Sequence, residues 1–416
     1  MTQQDEKLQT AVLVGVTTGA REYLEESTPA SMEELEALAA TAGAQTIAVV
    51  VQNRQAIDPA TFVGQGKLEE IRELCDAEKP DLLIFDDELS GSQVRNIEQA
   101  VDVRVVDRSR LILDIFAQRA TSREGKCQVE LAQLQYMLPR LSGIGADLSR
   151  LGGGIGTRGP GETKLETDRR HIRTRISHLR SELREIEQHR GVTRQRRVRE
   201  QIPVIALVGY TNAGKSTLLN ALTGAGTLAE DKLFATLDPL VRRCTIEDEL
   251  EVLFIDTVGF IRKLPHHLVE AFRSTLEESV YADLILHVVD VSNPEYRSQM
   301  EVVERLLREI GAAEKPVITV YNKTDLSEGE LPGGPDSISI SARDGRGIPE
   351  LLSKLRARLE PKKREAEAFI PYADGAAVSF AHEMCKILSE EHEATGTRIR
   401  LVADAPALDR LQEYLQ

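Results

Sequence analysis

The chain has 416 residues, of which 41% are hydrophobic and 29% charged, and its formal net charge is −15. That length allows roughly two to four domains with full cores, and so acidic a balance, taken alone, argues against nucleic acid as a partner. No apolar stretch is long enough to span a bilayer, residues 1–6 do not form a secretory n-region, and four scattered cysteines without a C-x-x-C pair argue against disulfides or zinc and for a reducing, cytoplasmic setting.

Residues 1–122 alternate between strand-like and helix-like runs. Apolar runs at 12–16, 47–51, 82–85 and 103–106 read as strands, and amphipathic stretches near 31–42, 68–75 and 94–100 read as helices. The alternation predicts an N-terminal α/β domain with a parallel sheet. Gly64-Gln65-Gly66-Lys67 lacks the Walker spacing and reads as a plain strand-to-helix turn.

Residues 123–200 read as a basic helical hairpin. Leu131, Leu134, Leu138 and Leu141 recur at helical spacing, as do Leu165, Ile172, Ile176, Leu179, Leu183 and Ile186, which gives two matching seams. Residues 161–200 hold 12 Lys/Arg against 7 Asp/Glu, a local excess of positive charge in an acidic protein. Eleven of the twelve are arginines, suited to bidentate phosphate contact. Arg169, Arg173 and Arg180, with Arg158 at a Gly-rich tip, are the candidate RNA contacts; the competing reading is a solvated spacer. The tip contains G-x-G-x-x-G at Gly154, Gly156 and Gly159, but no strand precedes it and Pro160 follows, which argues against a dinucleotide site.

Residues 201–361 carry the chemistry. A strand-like run at 204–208 leads into Gly209-Tyr210-Thr211-Asn212-Ala213-Gly214-Lys215-Ser216-Thr217 and then a helical run. G-x-x-x-x-G-K-S in that context is a phosphate loop: backbone N–H groups form a nest, Lys215 reaches the β- and γ-phosphates, and the Ser216 hydroxyl can bind Mg²⁺. Thr236, in the segment 234–239, is a candidate second Mg²⁺ ligand. A strand at 250–255 ends in Asp256-Thr257-Val258-Gly259, where Asp256 can hold Mg²⁺ through water and the Gly259 N–H can meet a γ-phosphate. After a strand at 316–321 comes Asn322-Lys323-Thr324-Asp325, and beyond it Ser341-Ala342, whose backbone can touch the base edge. The Asp325 carboxylate can accept from guanine N1–H and the exocyclic amine, whereas adenine would leave it unpaired, a discrimination worth roughly 10⁴-fold. In this order the motifs describe a GTP·Mg²⁺ switch, and the set resembles the translation-factor-related branch of the Ras-like GTPases, with Lys215, Thr236 and Gly259 as the catalytic trio. One departure matters: the residue after D-x-x-G is Phe260, not the water-orienting glutamine. Asn212 either holds K⁺ beside the phosphates, as related GTPases with Asn there do, or only shapes the loop. Residues 362–416 read as a small α+β module: strand at 368–370, helix at 375–388, strand at 397–402, helix at 407–415.

Several further stretches carry a fuller resemblance. They are Phe85-Asp86-Asp87-Glu88-Leu89-Ser90, Asp107-Arg108 through Phe116-Ala117-Gln118-Arg119-Ala120, residues 153–163, Leu165-Glu166-Thr167-Asp168-Arg169-Arg170, and Asp256 to Arg262. Together they resemble the HflX family over essentially the whole chain. The resemblance implies a GTPase that binds the large ribosomal subunit, with the α/β domain and hairpin reaching rRNA near the ribosome's catalytic centre, and that splits or rescues stalled ribosomes under stress. A monomer without an integral membrane segment is expected. The alternative from another class is a GTP-dependent switch that binds a protein effector without RNA.

Overall fold

A computed structural model describes residues 8–18, 28–141, 160–199, 202–224, 233–235, 237–246, 250–265, 268, 273–327, 329, 331–359, 364–403 and 405–415. The chain forms two compact units, residues 1–245 with 251–348, and residues 246–250 with 349–416. The architecture is α/β.

The first unit begins with strands β1 (Gln9–Thr17), β2 (Ala44–Asn53), β3 (Leu82–Phe85) and β4 (Arg104–Asp107), which form a parallel sheet in the order β2-β1-β3-β4. Alternate residues of these strands serve two cores, as the two-residue period of a strand requires. Ala11, Leu13 and Ile84 pack with α1 (Pro29–Thr41) and α4 (Arg108–Arg119). Val12, Val14, Leu83 and Phe85 pack with α2 (Gln65–Glu78) and α3 (Gly91–Val101). Local chemistry sets the helix starts: Thr28 caps α1 ahead of Pro29, and Ser90 and Gln93 form a capping box on α3. Gly64 is the N-cap of α2, so the 64–67 element is a helix-entry turn. Helix α4 was not legible as a helix. It is buried nearly all round, at Arg108, Ser109, Leu111, Ile112, Leu113, Ile115 and Phe116, and so lacks an amphipathic period.

Helices α5 (Arg123–Arg140) and α6 (Pro160–Arg199) pack through Cys127, Leu131, Ile176 and Leu179, flanked by Leu134, Leu138, Ile172 and Leu183. The ion pairs Arg123–Glu182 and Glu130–Arg175 run in opposite sequence directions, so the pair is antiparallel. Leu165 and Arg158, with the tip glycines, lie outside the residues whose side chains or backbone are described.

The rest of this unit is a six-stranded sheet, β10-β9-β8-β5-β7-β6, whose inner pairs are parallel. Its strands are β5 (Val204–Gly209), β6 (Leu240–Ile246), β7 (Leu250–Asp256), β8 (Leu284–Asp290), β9 (Val317–Asn322) and β10 (Ser337–Ser339). Helices α7 (Lys215–Thr223), α8 (Arg273–Tyr281) and α9 (Tyr296–Glu309) connect them. One core runs through the unit: Leu13, Phe116 and Tyr136 belong to the same buried cluster as Tyr210, Phe234, Phe260 and Ile285.

The second unit includes helix α10 (Ile348–Leu359) from Pro349 onward. Its sheet is antiparallel and ordered β11-β13-β12, from β11 (Arg364–Pro371), β12 (Lys386–His392) and β13 (Gly396–Ala403). Helices α11 (Gly375–Met384) and α12 (Ala405–Arg410) pack on it through Ala381 and Ala407, joined by Leu411 just past α12. Here the structure corrects the sequence reading: the helix expected at 375–388 stops at Met384, and 386–392 is a strand. Pairing with β13 outweighs the helix-compatible run Met384 to Leu388.

Candidate nucleotide site

Strand β5 is buried from Ile205 onward and delivers Gly209 to the phosphate loop, and α7 begins at Lys215 with Gly214 as its N-cap. Asn212 is exposed with φ +60, a left-handed conformation that asparagine tolerates. Lys215 is buried, its Nζ donating to the carbonyls of Gly209 (3.2 Å) and Tyr210 (2.9 Å). Burial lowers its pKa to about 8, with Asp256 opposing the shift. His287 on β8 is held neutral, pushed down to about 4 by burial and by the charge of Lys215. The Ser216 hydroxyl donates to Asp256 Oδ2 at 2.6 Å, which places two hard oxygen ligands side by side. Thr217 follows in the first turn of α7, and Thr257 turns its hydroxyl away to the Leu207 carbonyl (2.7 Å).

The D-x-x-G segment lies directly on the phosphate loop. Phe260 N–H donates to the Gly209 carbonyl (3.1 Å) and Thr211 N–H to the Phe260 carbonyl (2.7 Å). A Cβ at Gly259 would stand 2.7 Å from Thr211 Cα and 3.0 Å from Lys215 Nζ, so only glycine permits the approach. Val258 and the Phe260 ring are buried in the core. The ring has no polar atom to orient a water.

The base-binding motifs assemble around Asn322. Its Nδ2 donates to the Ala213 carbonyl (2.9 Å) and its Oδ1 accepts from Ala342 N–H (2.9 Å), stapling the phosphate loop to the Ser341-Ala342 turn. Asp325 Oδ1 accepts from the Ser341 hydroxyl at 2.7 Å, and that bond first among its causes holds the carboxyl below its usual range. Lys323 Nζ pairs with Asp290 at 2.7 Å. Lys215, Ser216, Gly259, Asp256, Asn322, Asp325, Ser341 and Ala342 thus converge on one site. Thr236 lies outside the described residues.

A feature that motif reading missed is a buried ionic network between the N-terminal sheet and this site. The Tyr210 hydroxyl donates to Glu34 of α1 and accepts from Arg262 N–H at 2.8 Å. Arg108, 1% exposed, pairs with Glu34 and with Asp86 (2.7 Å). Asp86 also accepts from Ser31 Oγ (2.8 Å) and from Lys263 Nζ (2.6 Å), which reaches Asp87 as well (2.7 Å). Burial disfavours charge on Arg108, but the Glu34 and Asp86 carboxylates overcome it and keep the guanidinium ionised. Burial also raises the Tyr210 hydroxyl, with the Glu34 charge adding to it. Asp86, Asp87, Arg108 and Arg262 fall in the family-resemblance stretches and Ser31, Glu34, Tyr210 and Lys263 do not, and nothing in their spacing announced a network.

On α6, Arg173, Arg175 and Arg180 are exposed and Arg169 is half-buried; Arg173 pairs with Glu166 of α6 itself (4.0 Å), whereas Arg175 pairs with Glu130 and Arg190 with Glu124 of α5. Arg158 is not among the described residues.

Three family models match consecutive stretches of the chain. Residues 29–117 match "GTP-binding GTPase N-terminal", 119–197 "GTP-binding GTPase Middle Region", and 204–323 "50S ribosome-binding GTPase". The chain is 51% identical to "GTPase HflX" of Caldanaerobacter subterraneus subsp. tengcongensis, covering 92% of this chain and 90% of that one. It is 43% identical to "GTPase HflX" of Escherichia coli, covering 91% and 90%. The chain belongs to the HflX family of GTPases. Among solved structures, a GTP-binding protein from Sulfolobus solfataricus in complex with GDP is 27% identical, covering 84% of this chain and 98% of that one at a TM-score of 0.45. As an HflX GTPase the protein hydrolyses GTP, and the site described above is the candidate for binding it. No helix among the described residues is long and apolar enough to cross a membrane.

Proposed function

We propose that this HflX protein is a cytoplasmic, monomeric GTPase that binds the large ribosomal subunit and splits or rescues stalled ribosomes. The observation that carries the reading is the match of residues 204–323 to a 50S ribosome-binding GTPase model. The exposed arginines of α6, in a chain of net charge −15, support rRNA as the partner.

The donor set fits Mg²⁺: a hydroxyl (Ser216) and a carboxylate (Asp256) already 2.6 Å apart, with Thr236 as the switch ligand. Mg²⁺ bound there neutralises charge on the phosphates. Lys215 moves its three donors from the Gly209 and Tyr210 carbonyls to the β- and γ-phosphates, and the Gly259 N–H meets the γ-phosphate. Asp325 accepts from the guanine edge while Asn322 holds the two loops in register. Phe260 supplies no group to orient water, so hydrolysis by the free protein is slow and the ribosome completes the site. Asn212 would either hold K⁺, adding positive charge beside the phosphates, or only shape the loop.

Cosedimentation with ribosomal subunits, with and without a non-hydrolysable GTP analogue, tests the partner. Binding to the large subunit that strengthens with the analogue is expected; equal recovery in the supernatant under both conditions refutes it. Turnover in KCl above that in NaCl, a difference lost in Asn212→Ala, tests the cation, and equal rates in both salts refute that part alone.

A further inference from the structure

Asp238, two residues past Thr236, belongs to none of the nucleotide motifs. Its carboxylate nonetheless accepts four hydrogen bonds from two consecutive residues of another element. Oδ2 accepts from Thr121 N–H (3.0 Å), Thr121 Oγ1 (2.7 Å) and Ser122 N–H (2.8 Å), and Oδ1 from the Ser122 hydroxyl. Ser122 is the N-cap of α5, and its Oγ also accepts from Gly125 N–H at 2.9 Å. Asp238 therefore sits on the N-terminus of an 18-residue helix, where free donors and the helix dipole favour an anion. Burial disfavours its charge, but the Ser122 and Thr121 hydrogen bonds outweigh burial and hold the carboxyl below its usual range. The fit demands a glycine: a Cβ at Gly125 would collide with Asp238 Oδ1.

The segment is fastened at its other end too. Phe234 N–H donates to Thr211 Oγ1 in the phosphate loop (3.0 Å), and its ring meets Phe116 of α4 edge-on at 4.7 Å. Its φ of +55 is one that bulky residues seldom adopt, so tertiary contacts hold it there. Leu237 is buried in the shared core. Thr236 thus lies, in sequence, between an anchor on the phosphate loop and an anchor on α5.

We propose that Asp238 is a positioning residue for GTP hydrolysis: by fastening this segment to the N-terminus of α5, it sets where Thr236 is delivered to the nucleotide. The inference rests on the reading of Thr236 as a Mg²⁺ ligand. With both carboxylate oxygens engaged by Thr121 and Ser122, Asp238 acts through Thr236, so it governs the rate of the chemical step and not the binding of nucleotide. The requirement at Gly125 follows, because a side chain there evicts Asp238 without altering the segment itself.

Steady-state hydrolysis and fluorescent-GDP binding by the full chain test this, with Asp238→Ala, Gly125→Ala, the double variant, Thr121→Val and Thr236→Ala. Both Asp238→Ala and Gly125→Ala are expected to lower kcat on the order of 10- to 100-fold, with KM and GDP affinity within about twofold of wild type. The double variant should be no slower than Asp238→Ala, because both remove one interaction, and Thr121→Val should lose less. Wild-type kcat in both single variants, a loss confined to KM, or losses that add in the double variant would each overturn the proposal. Should Asp238→Ala fail to fold, Gly125→Ala and Thr121→Val decide the matter. Wild-type kcat and Mg²⁺ dependence in Thr236→Ala would sink the reading of Thr236 instead, whereas a slow Thr236→Ala beside normal Asp238 and Gly125 variants would sink the coupling alone.

Discussion

Lys215 is a buried cation resting on two carbonyls, with its pKa lowered to about 8 chiefly by burial. Bound phosphates favour the ammonium form, so nucleotide binding must return a proton to this lysine wherever the free protein has lost it. Affinity for GDP should be flat below the free protein's pKa and fall above it, approaching tenfold per pH unit. Calorimetry in two buffers of different ionisation heat should find proton uptake at about pH 9 and none at about pH 7. No uptake at the higher pH would mean the lysine stays charged without nucleotide. His287 is neutral across this range and cannot supply the signal. Asp325, fixed by the Ser341 hydroxyl, makes the second residue-scale prediction. Asp325→Asn should weaken GTP binding by roughly 10³- to 10⁴-fold and favour xanthosine triphosphate, because an amide donates where xanthine carries a carbonyl. Unchanged GTP affinity would remove Asp325 from the guanine site.

At the scale of elements, α6 is the surface to probe. Its seam residues Ile176 and Leu179 are buried against α5, and Arg175 and Arg190 pair with acids of that helix, so they are poor candidates for an outside partner. Arg173 and Arg180 remain exposed. Reversing Arg169, Arg173 and Arg180 to Glu should weaken binding to large subunits and flatten its salt dependence. For every arginine–phosphate pair removed, the slope of log affinity against log salt should fall by roughly 0.7–0.9. A filter-binding titration at several KCl concentrations reads this, and GDP affinity should be unchanged. Wild-type slope in the triple variant would make the hairpin a spacer and move rRNA binding to the N-terminal sheet.

At the scale of the molecule, the N-terminal sheet and the GTPase sheet share one core and one ionic network. Arg108 is its centre, and removing it leaves Glu34 and Asp86 buried with fewer partners. Arg108→Met should cost about 3–5 kcal/mol of stability, because an uncompensated buried carboxylate is far more expensive than an absent ion pair. Urea unfolding followed by circular dichroism measures it. A loss below about 1 kcal/mol would mean that Lys263 and Tyr210 suffice to hold the two carboxylates. The network also joins the phosphate loop, through Tyr210, to Glu34 of α1, and the segment after D-x-x-G, through Lys263, to Asp86 and Asp87 just past β3.

The convergence of the candidate site's motifs was legible because each motif is local. A phosphate nest needs Gly and Lys at set spacing at a strand-to-helix turn, guanine needs an Asp after a strand, and residues 209–217, 256–259 and 322–325 state both within a few positions. The parallel sheet of residues 9–107 and the α5–α6 seam were legible for the same reason, since periods of two and about three and a half are written in the chain itself. Helix α4 and strand β12 were not: one is buried on all sides and shows no period, and the other is a strand because β13 lies beside it. The Arg108 network and the grip of Ser122 on Asp238 join residues 74 and 116 positions apart. No local pattern encodes such pairs. An arginine or an aspartate reads as surface until the fold removes it from water, and only then must it find the partners that make its charge tolerable.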